Sequence, residues 1–153
     1  MGLDMYLTKK TYVRNWDHFT PEDRWEITVK KGGNSYNSFQ PDRAYEITEL
    51  IGQWRKVNAI HNWFVINVQD GKDECQESYV SVENLSLLLG RINRVLENHE
   101  LAPQLLPSQP GFFFGSTDYD EWYFKDLEYT KTVLETAINE GDSEASFYYR
   151  ASW

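Results

Sequence analysis

The sequence predicts an α+β domain in which a largely antiparallel sheet is packed on one side by about three helices. Three observations lead there. Segments alternating with period two stand at both ends of the chain, apolar stripes at three- and four-residue steps lie between them, and the connections are short and local. A chain of 153 residues suits a single domain, 1–153, that can bury most of its apolar side chains without staples.

The elements follow in order. The opening LDMYLTKKTYV (3–13) alternates, with Leu3, Met5 and Leu7 on one side and Asp4, Tyr6 and Thr8 on the other, and WEITVKK (25–31) does the same, so both read as strands. Between them NWDHFTPED is turn-rich, and Gly32-Gly33-Asn34 opens a loop. A long helix is expected from Pro41 or Asp42 to Asp70-Gly71, with Ile47, Leu50, Ile51, Trp54, Val57, Asn58, His61, Phe64 and Val65 on one face. A short strand near 77–80 comes next. Ser81 caps a second helix whose Leu85, Leu88, Leu89, Ile92, Val95 and Leu96 form a purely apolar stripe. The proline-rich LAPQLLPSQPG reads as an extended connection, and Phe112, Phe113 and Phe114 as a short buried strand. Thr117, three residues before Asp120, starts a third helix in a capping-box-like arrangement, and Gly141 ends it. Tyr123, Leu127, Thr130, Leu134 and Ile138 line the inner face of that helix, and SFYYRASW supplies a last strand. A doubly wound sheet is the alternative architecture, but no GxGxxG or GxxxxGKS phosphate cradle follows any strand.

WRKVNAIHNWF (54–64) is the most informative stretch, because it carries Asn58, His61 and Asn62 on an otherwise apolar helical surface. Polar groups on a buried stripe cost about 1–3 kcal/mol each unless hydrogen-bonded. They call for an internal network or for a ligand. In the first reading His61 is a core histidine bonded to Asn58 and a backbone carbonyl; in the second, Trp54, Asn58, His61 and Asn62 belong to a site. The second candidate is GSTDYDEWY (115–123). Ser116 and Thr117 at a strand-to-helix junction can serve as caps or meet an anion, whereas Asp118, Asp120 and Glu121 oppose phosphate and match a cation. Tyr119, Trp122 and Tyr123, interleaved with those acids, can stack on such a cation.

Charge and composition exclude several classes. Residues 1–56 hold nine Lys or Arg against eight Asp or Glu, while 57–153 hold six against sixteen, so nearly all of the net charge of −9 sits in the second part. This argues against direct nucleic-acid binding, unless Lys9, Lys10, Lys30 and Lys31 gather through pairing of their strands. Cys75 stands alone and among acids, a poor setting for a nucleophile, and a single cysteine favours a reducing compartment. His18, His61 and His99 are far apart in sequence and only one cysteine exists, so no zinc site is expected and only an oxygen-rich Mg or Ca site stays open; no cofactor is expected. The opening residues lack a basic and apolar leader, and no run approaches the ~20 apolar residues of a membrane span. The expected location is the cytoplasm, with no membrane contact.

MGLDMYL, WRKVNAIHNWFV and GFFFGSTDYDEWY together resemble the landmarks of a family of small proteins encoded by tailed bacteriophages and prophages. The resemblance implies an accessory product acting in a bacterial cytoplasm on the host or its defences, and it implies no catalytic residues. Three functions follow in order of expectation. The first is a protein that binds and inhibits a bacterial host protein with a basic surface, through its acidic, aromatic surface. The second is a binder of a small ligand, such as a nucleotide or signal molecule, near Asn58 and His61. The third is a small enzyme using His61 as acid or base.

Overall fold

A computed structural model describes residues 2–153. The fold is α+β. Its centre is a four-stranded, wholly antiparallel sheet made of β1 (Asp4–Tyr12), β4 (Glu46–Arg55), β5 (Ser78–Val80) and β6 (Ala145–Ser152), in the order β4-β1-β6-β5. A separate two-stranded hairpin joins β2 (Lys30–Lys31) to β3 (Asn34–Ser35). The helices are α1 (Asn58–Val68), α2 (Val82–Glu97), the short α3 (Ala102–Leu105) and α4 (Glu121–Glu140). Met5 and Leu7 of β1, Trp54 of β4 and Phe147, Tyr149 and Ala151 of β6 alternate toward the helices and share one core with Ile60, Phe64, Leu85, Leu88, Ile92, Leu127 and Leu134. On the opposite face Lys10 lies 4.7 Å from the Tyr148 ring centroid and Arg150 5.8 Å from that of Tyr6.

The expected long helix over 41–71 is replaced by β4, a tight turn and α1. A β-bulge explains the misleading spacing. Leu7 pairs with Gly52 and Thr8 with Leu50, leaving Ile51 extra, so the alternation of β4 slips by one residue and imitates a helical step. Gly52 also suits a close approach: a Cβ there would stand 2.5 Å from Val133 Cγ1 on α4. Lys56, at φ 60°, turns the chain from β4 into α1.

The expected strand over 25–31 is limited to Lys30–Lys31, which folds back through Gly32 and Gly33 at positive φ. Alternation fails there because the segment has nothing to pack against: 14–45 form an arm in which no residue is buried, tied internally by Asn15 and Trp25. Lys9 and Lys10 lie on β1 and Lys30 and Lys31 on this arm hairpin, so their strands do not pair. The expected strand at Phe112–Phe114 is an irregular turn, with Phe112 84% exposed and only Phe114 buried. The expected extended connection over 101–111 contains α3, since Pro103 in a first helical turn loses no hydrogen bond. Two expected ends fit: Ser81 Oγ accepts from Asn84 N at 3.1 Å, and Gly141 closes α4. The cap of α4 is Asp120, whose Oδ1 accepts from Tyr123 N at 3.0 Å, in place of Thr117.

Candidate functional site

Asn58 opens α1 and is fully engaged. Its Nδ2 donates to the carbonyls of Phe114 (3.0 Å) and Ser116 (2.8 Å), and its Oδ1 accepts from Gln109 N (2.9 Å). One side chain thus pins both limbs of the 107–119 loop to the helix. Further ties run from Ser108 N to Tyr119 Oη, from Asp118 N to Ser116 Oγ and from Tyr123 Oη to the Leu106 carbonyl. Gly115, at φ 86°, allows the Lys56 stem to lie against the loop, where a Cβ would come within 2.9 Å of Lys56 Cβ.

Between this loop, the start of α1 and the first turns of α4 opens a cleft of 260 Å³. Asp118, Asp120 and Asp126 line it together with Trp122, Tyr123, Ser116 and Asn58, and Arg55 and Lys56 stand on its α1 side. Asp126 is half-buried and, among the described residues, its carboxylate makes no hydrogen bond and no ion pair; the same absence of ion pairs holds for Asp118 and Asp120. Burial, reinforced by the neighbouring Asp120 charge, pushes the Asp126 carboxyl up to about 6. Burial also pushes the Tyr123 phenol well above its ordinary value, so it stays a neutral donor. The Trp122 indole is 70% exposed and already holds the Lys125 ammonium 4.8 Å from its ring centroid.

His61 belongs to a different assembly. Its Nδ1 lies 2.7 Å from Tyr149 Oη and its Nε2 2.9 Å from Asp73 Oδ2, while Asp73 Oδ1 accepts from Trp153 Nε1 at 3.0 Å. Burial and the Asp73 charge raise the Tyr149 phenol well above its ordinary value. The consistent assignment has Tyr149 donating to Nδ1 and Nε2–H donating to Asp73. A hydroxyl, an imidazole and a carboxylate thus stand in the order of a catalytic triad, but Tyr149 is 0% and His61 1% exposed. No reactant reaches that hydroxyl in this conformation, and the chain of bonds cements β6, α1 and the 69–77 loop.

The structure divides the sequence-derived candidates. Asn58, Ser116, Asp118, Asp120, Trp122 and Tyr123 line one cleft. Thr117, Tyr119 and Glu121 lie on the same segment outside the lining, and Tyr119 is spent on the loop. Trp54 is core, its Nε1 donating to Thr130 Oγ1 at 2.8 Å, and Asn62 faces a separate crevice. Asn58 and His61 are not bonded to each other; both meet Phe114, whose carbonyl binds Asn58 and whose ring meets the imidazole edge-on. Asp126, Arg55 and Lys56 escaped the sequence reading. Asp126 stands three residues after Tyr123 and four before Thr130, so the spacing of the inner stripe already placed an acid on it. Comparison of the chain with protein-family models, with curated proteins and with solved structures finds no match.

Proposed function

We propose that this protein is a recognition protein that holds a basic side chain of a protein partner in the cleft between α1 and α4. One observation carries the reading: Asp126 is a half-buried carboxylate without a partner among the described residues, set beside Asp118 and Asp120. A carboxylate kept from water and next to a like charge is destabilised, and an incoming ammonium or guanidinium relieves both penalties. Exposed Trp122 offers the cation a ring face, and Phe112, 84% exposed on the loop that walls the cleft, offers an apolar anchor beyond it. Under the resemblance to phage- and prophage-encoded proteins, that partner is a protein of the bacterial host whose activity the complex modulates or inhibits.

The test compares wild type with Asp126→Asn, using the indole fluorescence of Trp122 and two probes, acetyl-arginine amide and its neutral citrulline counterpart. Saturable binding of the arginine probe only, lost in Asp126→Asn, supports the reading. Equal response to both probes, or an unchanged affinity in the variant, overturns it. Capture from a bacterial lysate with the same two proteins then identifies the partner as a band retained by wild type alone.

One observation favours a second reading. Arg55, Lys56 and the start of α1, where Val57 provides no side-chain cap, border the same cleft. A small ligand carrying both a cation and an anion would use both walls, and mass analysis of molecules released from the purified protein separates the two readings.

A further inference from the structure

On the other flank of α1 lies a crevice of 180 Å³ between α1, α2 and α3, and its walls contain no carboxylate. In a chain with nine more acids than bases this is unusual lining. Trp63 forms part of the wall, is 3% exposed and has an indole Nε1–H with no hydrogen-bond partner. An orphaned buried donor of this kind is uncommon, because it forfeits its bond to water without replacement. Arg91, on the α2 side, gives one N–H to the Leu105 carbonyl at 3.3 Å and, among the described residues, pairs with no acid. Asn62 and Gln104 add amide side chains that make no hydrogen bond among the described residues. Ile66, Leu105 and Pro107 supply the apolar remainder.

We infer that this crevice is a binding site for a small organic carboxylate. The crevice is lined by the unengaged amides of Asn62 and Gln104 and by no carboxylate, and the one charged group in its wall is a guanidinium, whose fork matches a carboxylate in two parallel bonds. The apolar wall takes a hydrocarbon body that an inorganic anion lacks. The inference is independent of the acidic cleft, which selects the opposite charge; α1 separates the two, with Ala59 touching both.

The experiment follows the Trp63 indole N–H resonance of 15N-labelled protein, assigned through its contacts with Phe64, during titration with benzoate, benzamide and inorganic phosphate. Benzoate moves the resonance saturably, benzamide binds far more weakly, and Arg91→Gln weakens benzoate by about tenfold or more, as loss of a charge-assisted bond requires. Arg91 is exposed, so this variant keeps the fold. A resonance indifferent to benzoate, an equal response to benzamide, or an Arg91→Gln variant with unchanged affinity overturns the proposal. A response to phosphate alone overturns it as well, since an inorganic anion then suffices. Trp122 is an internal control: a benzoate shift confined to Trp122 means binding elsewhere and also overturns it.

Discussion

Asp126 sets stability against recognition within a single side chain. Its carboxyl is raised from 3.8 to about 6 in the folded protein, so between those values the folded state holds a proton that the unfolded chain has released. Stability therefore falls as pH rises through that window, the reverse of an ion-paired aspartate. Asp126→Asn is expected to be more stable than the parent at pH 7, by about 1 kcal/mol once the half-exposure of the group is discounted, and denaturant melts at pH 4 and 7 should show the advantage only at the higher pH. The same variant should lose the cationic partner, and wild-type affinity should decline below pH 6 as the carboxyl protonates. The buried pair makes a contrasting case. Tyr149→Phe leaves His61 Nδ1 without its donor and is expected to cost about 1–3 kcal/mol, read by chemical denaturation, while arginine-probe binding stays unchanged. The sequence exposed these residues unevenly. Asn58 and His61 were legible as polar groups needing partners, but those partners, the Phe114 and Ser116 carbonyls, Tyr149 and Asp73, come from segments that no local spacing brings together.

Among the elements, α2, the body and C-terminal end of α4, and β1 and β6 were legible because a single period ran through each, with Ser81 and a clean leucine stripe for α2 and Gly141 for α4; the start of α4 was not, since its cap is Asp120 and not Thr117. β4 was not, because the bulge at Ile51 re-phases its alternation and only the partner strand reveals the register. The 25–31 segment failed for the opposite reason, a regular pattern with no surface to bury it. Gly52 links the bulged strand to α4, and its role is open to a direct test. Gly52→Ala forces a Cβ into Val133, 2.5 Å away, and is expected to destabilise by about 1–3 kcal/mol. Thermal melts of Gly52→Ala with and without Val133→Ala check this, since trimming Val133 should recover part of the loss despite removing core volume of its own.

At the level of the whole molecule, Asp118, Asp120 and Asp126 line the cleft without ion pairs among the described residues, while Lys9 and Lys10 are answered by Glu49, Glu140, Glu46 and Glu77 around β1. Exposed charges are screened over ~8–10 Å at physiological ionic strength, so association with a basic partner should slow as salt rises. Replacing Asp118 and Asp120 by Asn, which preserves the helix cap, should weaken that association and flatten its salt dependence while moving the melting temperature by only a few degrees; stopped-flow mixing across a salt series measures it. The pairing of β1 with β6 at the middle of the sheet has a consequence for synthesis. While residues 145–152 are still to be made, β5 has no neighbour and one edge of β1 is bare, since β6 is the strand that joins them. The β1–β4 ribbon and α2 can form early, but the nascent chain stays without its central seam until β6 leaves the ribosome. Folding is then a late, long-range closure, with the slow single phase expected of distant contacts, and a chain stalled before Ala145 should expose apolar surface to chaperones.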